Sequence, residues 1–573
     1  MGRNQWAWAA GAAVVVMAAA AYVNTLDGEW VWDDISSVLL HRHVQDPAKL
    51  GQLFREDQHA FGRGQGNFYR PLVAASFMLD YALSGGPSPA EIEASGRAYP
   101  ELSPLVFHLT NLLWHAAAAM LLFMLLARLA APPAAAAAAA MLFAVHPLHT
   151  EAVAYISGRA DMMSAALMFA ALNLSLPGGA GARRVVSLAA GLLCFAAALC
   201  SKESSLIYPV LLAVALGAAW AGRDRTETDG QSGVVGAALR HFLPLAGAVL
   251  VLCGYVALRA TVLRFAPTGG GAAAPLGQRL VETCQSFALY MRMLFWPAGL
   301  HMERTLAGVP RWTAAVGALL LLALAAGVLL AARARRWRVA GGIVWFIAAW
   351  LPISGVFPIN APLAEHWMYV PMAGFWWALM ELLAETRAGK PGMAAPLAAA
   401  CAGLIVFLPM TVARNADWHD NERLFRATLD MNPASVRVHY NLAVTYGDIL
   451  HNPAGARRHY EAVLRLQGQD RPGAAPAATV YVDEAELRLS LGRALEESGD
   501  YQAAAEHYRR VLGRKSGAAD EVGLAALGLG RCLLAQGDWS GAVGVLEQLA
   551  SRDPAALPEV ERLLGPAPFS EDF

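Results

Sequence analysis

The sequence is poor in charged residues and has no excess of basic residues. Charged residues make up 16% and hydrophobic residues 56% of the 573 residues, whereas soluble domains carry about 25% charged residues. The mean hydropathy is +0.39, which indicates an integral membrane protein with a soluble part. The formal net charge of −1 excludes the whole-chain basic footprint of a nucleic-acid binder.

Sequence motifs of several enzyme classes are also missing. There is no P-loop, no GxSxG and no GxGxxG at a strand-to-helix turn, so nucleotide-driven transport, serine hydrolysis and Rossmann chemistry lack their signatures. The six cysteines form no CxxC pair and no metal-like spacing. Five of them lie in apolar stretches, and we interpret all six as inert thiols: Cys194, Cys200, Cys253, Cys284, Cys401 and Cys532.

What the sequence does contain is a series of apolar windows, each able to cross about 30 Å of hydrocarbon. They fall at 6–24, 105–130, 132–146, 160–177, 184–201, 204–222, 240–262, 312–333, 339–358, 366–386 and 394–413. A further segment, 280–298, carries Glu282 and Arg292, and charges are costly inside a membrane. If it lies at the interface, the basic connections at 183–184, 223–225, 333–338 and 387–390 all face the cytoplasm. We therefore predict eleven crossings, a retained first span, a cytoplasmic N-terminus and a non-cytoplasmic C-terminus.

Beyond about residue 414 the composition becomes soluble and a repeat appears. Leu491-Gly492, Gly499-Asp500-Tyr501 and Tyr508 match tetratricopeptide spacing, and Leu529-Gly530 with Gly537-Asp538-Trp539 match it again. We place repeats near 436–469, 485–517 and 523–556. The predicted fold is all-α: a polytopic membrane bundle over 1–413, with an outer loop at 24–104, followed by a tetratricopeptide α-solenoid over 414–573.

Two polar motifs of the outer face suggest chemistry. Asp33 and Asp34 follow the first span, and adjacent carboxylates raise one another's proton affinity, which suits a general base. Arg70 precedes Pro71 at a predicted helix start, where it could meet a phosphate. The alternatives are an ordinary acidic loop with interfacial tryptophans and an arginine that contacts lipid headgroups.

The segment His146 to Asp161 is the richest in functional groups. Pro147 can open a helix, and Glu151, Tyr155 and Arg159 would then share one face. His146 and His149 could ligate zinc, but hydrogen bonds to an anionic ligand suit them better without a third ligand.

Two further polar motifs lie between spans. Lys202-Glu203 could be an interfacial ion pair or supply a cation to a phosphate. Glu365-His366, followed by Tyr369, could be functional or an interfacial anchor.

The order of these motifs resembles that of a known family, the transmembrane and tetratricopeptide repeat-containing proteins, which are assigned as protein O-mannosyltransferases of the GT-C superfamily. The resemblance covers nearly the whole chain. It rests on Trp32-Asp33-Asp34, Tyr69-Arg70-Pro71-Leu72, His146-Pro147-x-His149-Thr150-Glu151-Ala152-Val153, Gly158-Arg159-Ala160-Asp161, Ser201-Lys202-Glu203, Ala364-Glu365-His366-x-x-Tyr369-x-Pro371 and the C-terminal repeats. His366 departs from the family, which more often has arginine there.

The resemblance implies inverting transfer of a mannose-like hexose from a polyprenyl-phosphate carrier to an acceptor hydroxyl, on a protein bound by the repeats. Asp33 would be the general base, supported by Asp34, and Glu151 would position the acceptor or the aspartate. The donor phosphate would be held by Arg70, Arg159, Lys202, His146 and His149. Other substrate contacts would come from Tyr155, Asp161, Glu203, Glu365, His366 and Tyr369. No dedicated metal-ligand set is visible, although a divalent metal stays open.

Two other functions remain open from the sequence. A membrane-anchored tetratricopeptide scaffold would need none of the outer acidic and basic groups. A transporter of lipid-linked glycans would place polar groups at mid-membrane, whereas here they lie at span ends. The predicted location is a bacterial inner membrane with the repeats in the periplasm.

Overall fold

The computed structural model describes residues 3–58, 61, 68–97, 99–178, 181–221, 234–261, 263, 274–357, 359, 361–385, 392–467, 482–514 and 518–565. The basic connections at 223–225 and 387–390 lie outside the described residues, as do 468–469 and 515–517 at the ends of two predicted repeats. The chain divides into two compact units, Met1–Leu424 and Phe425–Phe573.

The regular elements of the described residues are helices, joined in several places by short 3-10 turns. The α-helices, numbered in chain order, are α1 Arg3–Tyr22, α2 Leu50–Leu53, α3 Pro71–Leu83, α4 Pro89–Ala94, α5 Leu105–Arg128, α6 Pro133–Val145, α7 Thr150–Ala154, α8 Arg159–Ser175, α9 Gly181–Leu199, α10 Tyr208–Ala221, α11 Val234–Thr261, α12 Leu276–Phe295, α13 Trp312–Arg333, α14 Trp337–Trp350, α15 Tyr369–Ala384, α16 Ala394–Asp417, α17 Asn421–Met431, α18 Val436–Val444, α19 Pro453–Gln467, α20 Glu484–Glu497, α21 Tyr501–Leu512, α22 Ala519–Ala535, α23 Trp539–Arg552 and α24 Leu557–Leu564. The all-α prediction is confirmed for the described chain.

Helices of the first unit are apolar enough to form a membrane bundle. Within the described residues, seven stretches have the length and composition of a membrane span: Gln5–Thr25, Leu105–Arg128, Gly181–Leu199, Glu203–Ala221, Phe242–Thr261, Trp312–Arg333 and Ala394–Asp417. The other four predicted spans correspond to α6, α8, α14 and α15, which have 13, 17, 14 and 16 residues. Helix α12, at the ambiguous segment, is not among the seven. The count of eleven crossings stays a prediction.

Small residues let these helices pack closely. In α6 a run of alanines is buried, and the helix packs against α15 and α16. A Cβ atom on Gly342 of α14 would lie 2.6 Å from the Ala378 nitrogen of α15, and one on Gly374 would lie 2.7 Å from the Phe346 nitrogen. The two backbones therefore approach to a distance that a larger side chain would prevent.

The second unit consists of helix pairs. Helices α18 and α19, α20 and α21, and α22 and α23 pack as successive pairs. The side chains of Asp500 and Asp538 accept hydrogen bonds from the Ala503 and Gly541 N–H groups and so cap α21 and α23. Tyr508 is buried between α20 and α22, as the repeat pattern predicts for its large residues.

Candidate active site

Asp34 is the buried member of the acidic pair. Its side chain is 0% exposed. The carboxylate accepts hydrogen bonds from the Ser157 N–H (2.8 Å), the Ser157 hydroxyl (2.7 Å) and the Val31 N–H (3.2 Å). Burial raises the pKa of Asp34 to about 7, although the hydrogen bonds oppose the rise, and the Asp33 charge adds to it least. Repulsion within the pair, the cause expected from the sequence, is therefore the smaller effect, and desolvation is the larger.

Asp33 is the partly exposed member. Its backbone carbonyl accepts hydrogen bonds from the Ser37 N–H (2.8 Å) and the Ser36 hydroxyl (3.1 Å). Its carboxylate is hydrogen-bonded to Tyr155. Burial raises the pKa of Tyr155 well above its ordinary value, and the nearby charges of Asp33 and Asp34 add to the rise. The phenol therefore stays protonated and donates to Asp33.

The predicted continuous helix opened by Pro147 is wrong. Two 3-10 turns flank the short helix α7, and Tyr155 is extended, with φ −80° and ψ 121°. The side-chain amide of Asn111 donates to three carbonyl groups between 153 and 156. These bonds satisfy backbone acceptors that helical hydrogen bonds would otherwise satisfy. Glu151, Tyr155 and Arg159 therefore do not share one helix face.

Arg159 is fully buried and saturated with partners from α3 and α5. It pairs with Asp80 at 2.6 Å. It also donates to the Asn111 side-chain oxygen (2.7 Å), the Phe107 carbonyl (2.9 Å) and the Ser76 hydroxyl (3.0 Å). The guanidinium joins three helices, and its predicted contact with a phosphate stays a prediction.

Glu151 forms a pair with His366. The imidazole Nδ1 lies 2.9 Å from one carboxylate oxygen, and the His366 N–H donates to the other at 3.1 Å. Burial would raise the pKa of Glu151, but the charge and hydrogen bonds of His366, together with the charge of Arg414, lower it. Glu151 is therefore held as a carboxylate.

Glu365 lies in a basic environment that the sequence did not suggest. Its buried carboxylate accepts from Arg304 (2.9 Å), Arg414 (3.4 Å) and the His301 N–H (2.6 Å). Arg304 follows α12 and Arg414 is at the end of α16, so both are far in sequence from any predicted motif. The sequence signal that could have pointed to Arg414 is its position immediately after the last apolar window, 394–413.

A second basic group lies beside the start of α8. Lys202 pairs with Asp161 at 2.5 Å, and Arg70 pairs with Glu203 at 3.0 Å. The two ion pairs are adjacent, because Lys202 and Glu203 are consecutive residues. The Leu72 N–H donates to the Cys200 carbonyl at 3.2 Å and links the two segments. Arg259 of α11, which was not predicted, lies over the ring of Tyr69, 5.6 Å from its centroid.

His146, His149 and Tyr369 lie in the core of the bundle. All three are 0% exposed. The Nε2 of His146 is 3.0 Å from the Leu294 carbonyl, and the Tyr369 hydroxyl is 2.7 Å from His115 Nδ1. The rings of His149 and Tyr369 are 4.3 Å apart. In this environment they support the packing of α5, α6 and α15, and their contact with a ligand stays a prediction.

One short segment, 151–161, connects most of the predicted groups. From it Glu151 contacts His366, Tyr155 contacts Asp33, Ser157 holds Asp34, and Asp161 pairs with Lys202. Ser157 and Asp161 are about 6–8 Å apart along the chain at helical rise. The acidic pair and the Lys202 ion pair are therefore both anchored on this one short segment. Within the described residues, no group of three or more His, Cys, Asp or Glu side chains is placed to hold a metal ion.

Comparison with known proteins identifies relatives of both parts of the chain. The tetratricopeptide repeat family matches residues 450–521 and 489–556. Protein O-mannosyl-transferase TMTC4 of Mus musculus is 24% identical over 492 residues, covering 74% of this chain and 62% of that protein. TMTC1 of Homo sapiens is 25% identical over 535 residues, covering 84% and 58%.

A shorter match is closer in sequence. Protein O-mannosyl-transferase Tmtc1 of Drosophila melanogaster is 32% identical over 146 residues, covering 25% of this chain and 15% of the relative. In the two long alignments the chain spans 62% and 58% of the relatives' length. The chain is a homologue, with tetratricopeptide repeats, of the transmembrane and tetratricopeptide repeat-containing protein O-mannosyl-transferases.

Proposed function

We propose that the protein is an integral membrane glycosyltransferase, which moves a mannose-like hexose from a polyprenyl-phosphate carrier to an acceptor protein on the non-cytoplasmic face. The names of its relatives support the reaction class. The observation that supports the proposal is the segment 151–161, which contacts both the partly exposed Asp33, through Tyr155, and Lys202, through Asp161. Transfer from a lipid phosphate needs both a base and a cation.

Asp33 is the base in this proposal, and Asp34 supports it. The acceptor hydroxyl oxygen bonds to C1 of the sugar as the Asp33 carboxylate takes its proton. The bond between C1 and the phosphate oxygen breaks, and the polyprenyl phosphate leaves with the electron pair. Attack from the side opposite the phosphate inverts C1. Tyr155 orients Asp33, because it donates to the carboxylate that receives the proton.

Lys202 and Arg70 hold the departing phosphate. Each is already paired with a carboxylate, Asp161 and Glu203, so the phosphate would share these cations as its charge grows in the transition state. The side chains of Arg70 and Glu203 are 14% and 30% exposed, so this pair is accessible to a ligand. Arg159 has no such access, and its part is to fix the start of α8.

Glu151 and His366 would line the acceptor side. The His366 side chain is 27% exposed and is fixed by the buried Glu151, so it can contact an acceptor while its orientation is set. Glu365 is itself held by Arg304 and Arg414, and it would support the adjacent His366. The apolar bundle of eleven crossings would hold the polyprenyl tail, and the periplasmic repeats would recruit the acceptor protein.

The test is a transfer assay with the purified full chain and a panel of polyprenyl-phosphate sugars, with mass spectrometry of acceptor proteins. We expect product from at least one donor. Asp33→Asn should lower the rate by roughly 10²–10⁴-fold, the usual contribution of a general base. Asp27→Asn, at an exposed aspartate of the same loop, is the matched control and should keep the wild-type rate.

Two results would contradict the proposal. An Asp33→Asn protein that inserts normally and transfers at the wild-type rate removes the base assignment. Wild-type protein that transfers no sugar from any donor removes the enzyme itself, and would favour the scaffold or the transporter.

A further inference from the structure

Trp32, directly before the acidic pair, has an unusual backbone. Its φ is 51°, in the left-handed region that bulky side chains rarely occupy. Its N–H donates to the Asn421 side-chain oxygen at 2.8 Å. Asp34 closes the same turn through the Val31 N–H. The fold therefore holds a large aromatic residue in a conformation that would suit asparagine or glycine better, and such strain concentrates at functional sites.

The strained backbone places Trp32 at the outer end of an aromatic stack. Its ring stacks on Tyr155, with centroids 5.6 Å apart and an interplanar angle of 21°. Tyr155 in turn contacts Trp418, with centroids 5.4 Å apart. Trp418 and Tyr155 are 1% and 8% exposed, whereas Trp32 is partly exposed. The two buried rings form a rigid base under Trp32.

We propose that Trp32 carries the apolar face of the donor sugar, a role that rests on the proposed function. A hexose ring presents C–H groups on its faces and hydroxyls at its rim. An aromatic ring can therefore pack against a face while a carboxylate accepts hydrogen bonds from the hydroxyls. The acceptor hydroxyl must reach both Asp33 and C1 of the sugar. The sugar therefore lies within a few ångströms of Asp33. Trp32 offers an aromatic surface there, because its ring stacks on the same Tyr155 that donates to Asp33.

In this proposal the sugar contacts Trp32 and the phosphate does not. A lipid that carries the sugar and one that lacks it should therefore respond differently to a change of Trp32. We would measure the binding of a short-chain polyprenyl phosphate and of its mannosyl derivative to the full chain in detergent. Wild-type protein should bind the mannosyl lipid about tenfold more tightly, a preference of the size expected for one aromatic contact. Trp32→Asn should lose that preference but keep its affinity for polyprenyl phosphate within about twofold.

Two variants complete the design. Trp32→Phe keeps a smaller ring and should retain part of the preference. Trp30→Phe changes another tryptophan of the same loop, one that contacts Phe107 and donates to the Leu102 carbonyl, and should bind both lipids as wild type does. Asparagine tolerates the left-handed region, so Trp32→Asn should unfold within a few degrees of the wild-type temperature.

The outcomes are distinct. If Trp32→Asn keeps the preference for the mannosyl lipid, or loses affinity for both lipids equally, the inference is overturned. It is also overturned if the wild type binds both lipids equally although it transfers the sugar. Failure of the proposed function appears instead as absence of transfer by the wild type, in the separate turnover assay.

Discussion

Replacing Asp34 with asparagine should remove a pH-dependent loss of stability. The pKa of the buried carboxyl is raised from 3.8 to about 7, so between these values the folded protein holds a proton that the unfolded chain releases. This contribution to stability is fully present below pH 4 and is lost as the pH rises through about 7. A shift of about three units corresponds to about 4 kcal/mol in total, of which about 2–3 kcal/mol falls between pH 5 and 8.

Asparagine keeps the shape but cannot ionise. Its side-chain oxygen can still accept from the Ser157 N–H and hydroxyl, whereas its NH₂ faces the Val31 N–H and loses that bond. We expect a loss of about 1 kcal/mol at pH 5 from the missing acceptor. At pH 8 Asp34→Asn should be the more stable of the two proteins, because by then the wild type has lost about 2–3 kcal/mol of stability that the variant keeps.

The measurement is the thermal unfolding temperature in detergent, at one scan rate, from pH 5 to pH 8. The quantity of interest is the difference between Asp34→Asn and wild type, since other groups titrate in both proteins. Asp27→Asn, in an exposed position of the same loop, should unfold in parallel with wild type. If the curves of Asp34→Asn and wild type are also parallel, burial of Asp34 does not raise its pKa and the reasoning fails.

Two further changes test the buried Arg159 network and the Glu151–His366 pair. Arg159→Met should destabilise the protein by about 3–5 kcal/mol, because it leaves the 3%-exposed Asp80 carboxylate without its cation. Adding Asp80→Asn to that variant should restore part of the lost stability. Equal unfolding temperatures for the single and the double variant would contradict the importance of this ion pair. His366→Arg should keep the transfer rate close to that of the wild type, because an arginine can donate to the same Glu151 carboxylate that His366 contacts at 2.9 Å; a large loss of transfer would contradict this.

The repeats and the course of the apolar helices could be predicted because both leave local patterns. Gly499-Asp500-Tyr501 and Gly537-Asp538-Trp539 are turn and cap signals within a few residues, and the structure uses both aspartates as caps. The matches at 450–521 and 489–556 agree with that prediction. The apolar windows are similarly local, since hydropathy over about 20 residues suffices to find them.

The partners inside the bundle could not be predicted, since they are far apart in sequence. Arg159 meets Asp80 and Asn111 only because α3, α5 and α8 pack together. A weak signal existed: Asp80 and Asn111 are polar residues within apolar helices, and such residues normally find a buried partner. The break in the segment after α7 depends on the same Asn111, whose amide replaces helical hydrogen bonds. Helix periodicity in one segment cannot detect a competing donor from another helix.

Adjacency in sequence also conceals how different the two aspartates are. In an extended or turning chain, successive side chains leave the backbone in different directions, so Asp34 enters the protein at Ser157 while Asp33 stays partly exposed. The buried member has the raised pKa, and all three of its hydrogen bonds come from the protein. A general base must instead be reached by its substrate, which favours Asp33. Asp34 then acts by fixing the turn, and the strained Trp32 and the partly exposed Asp33 take their positions from that turn.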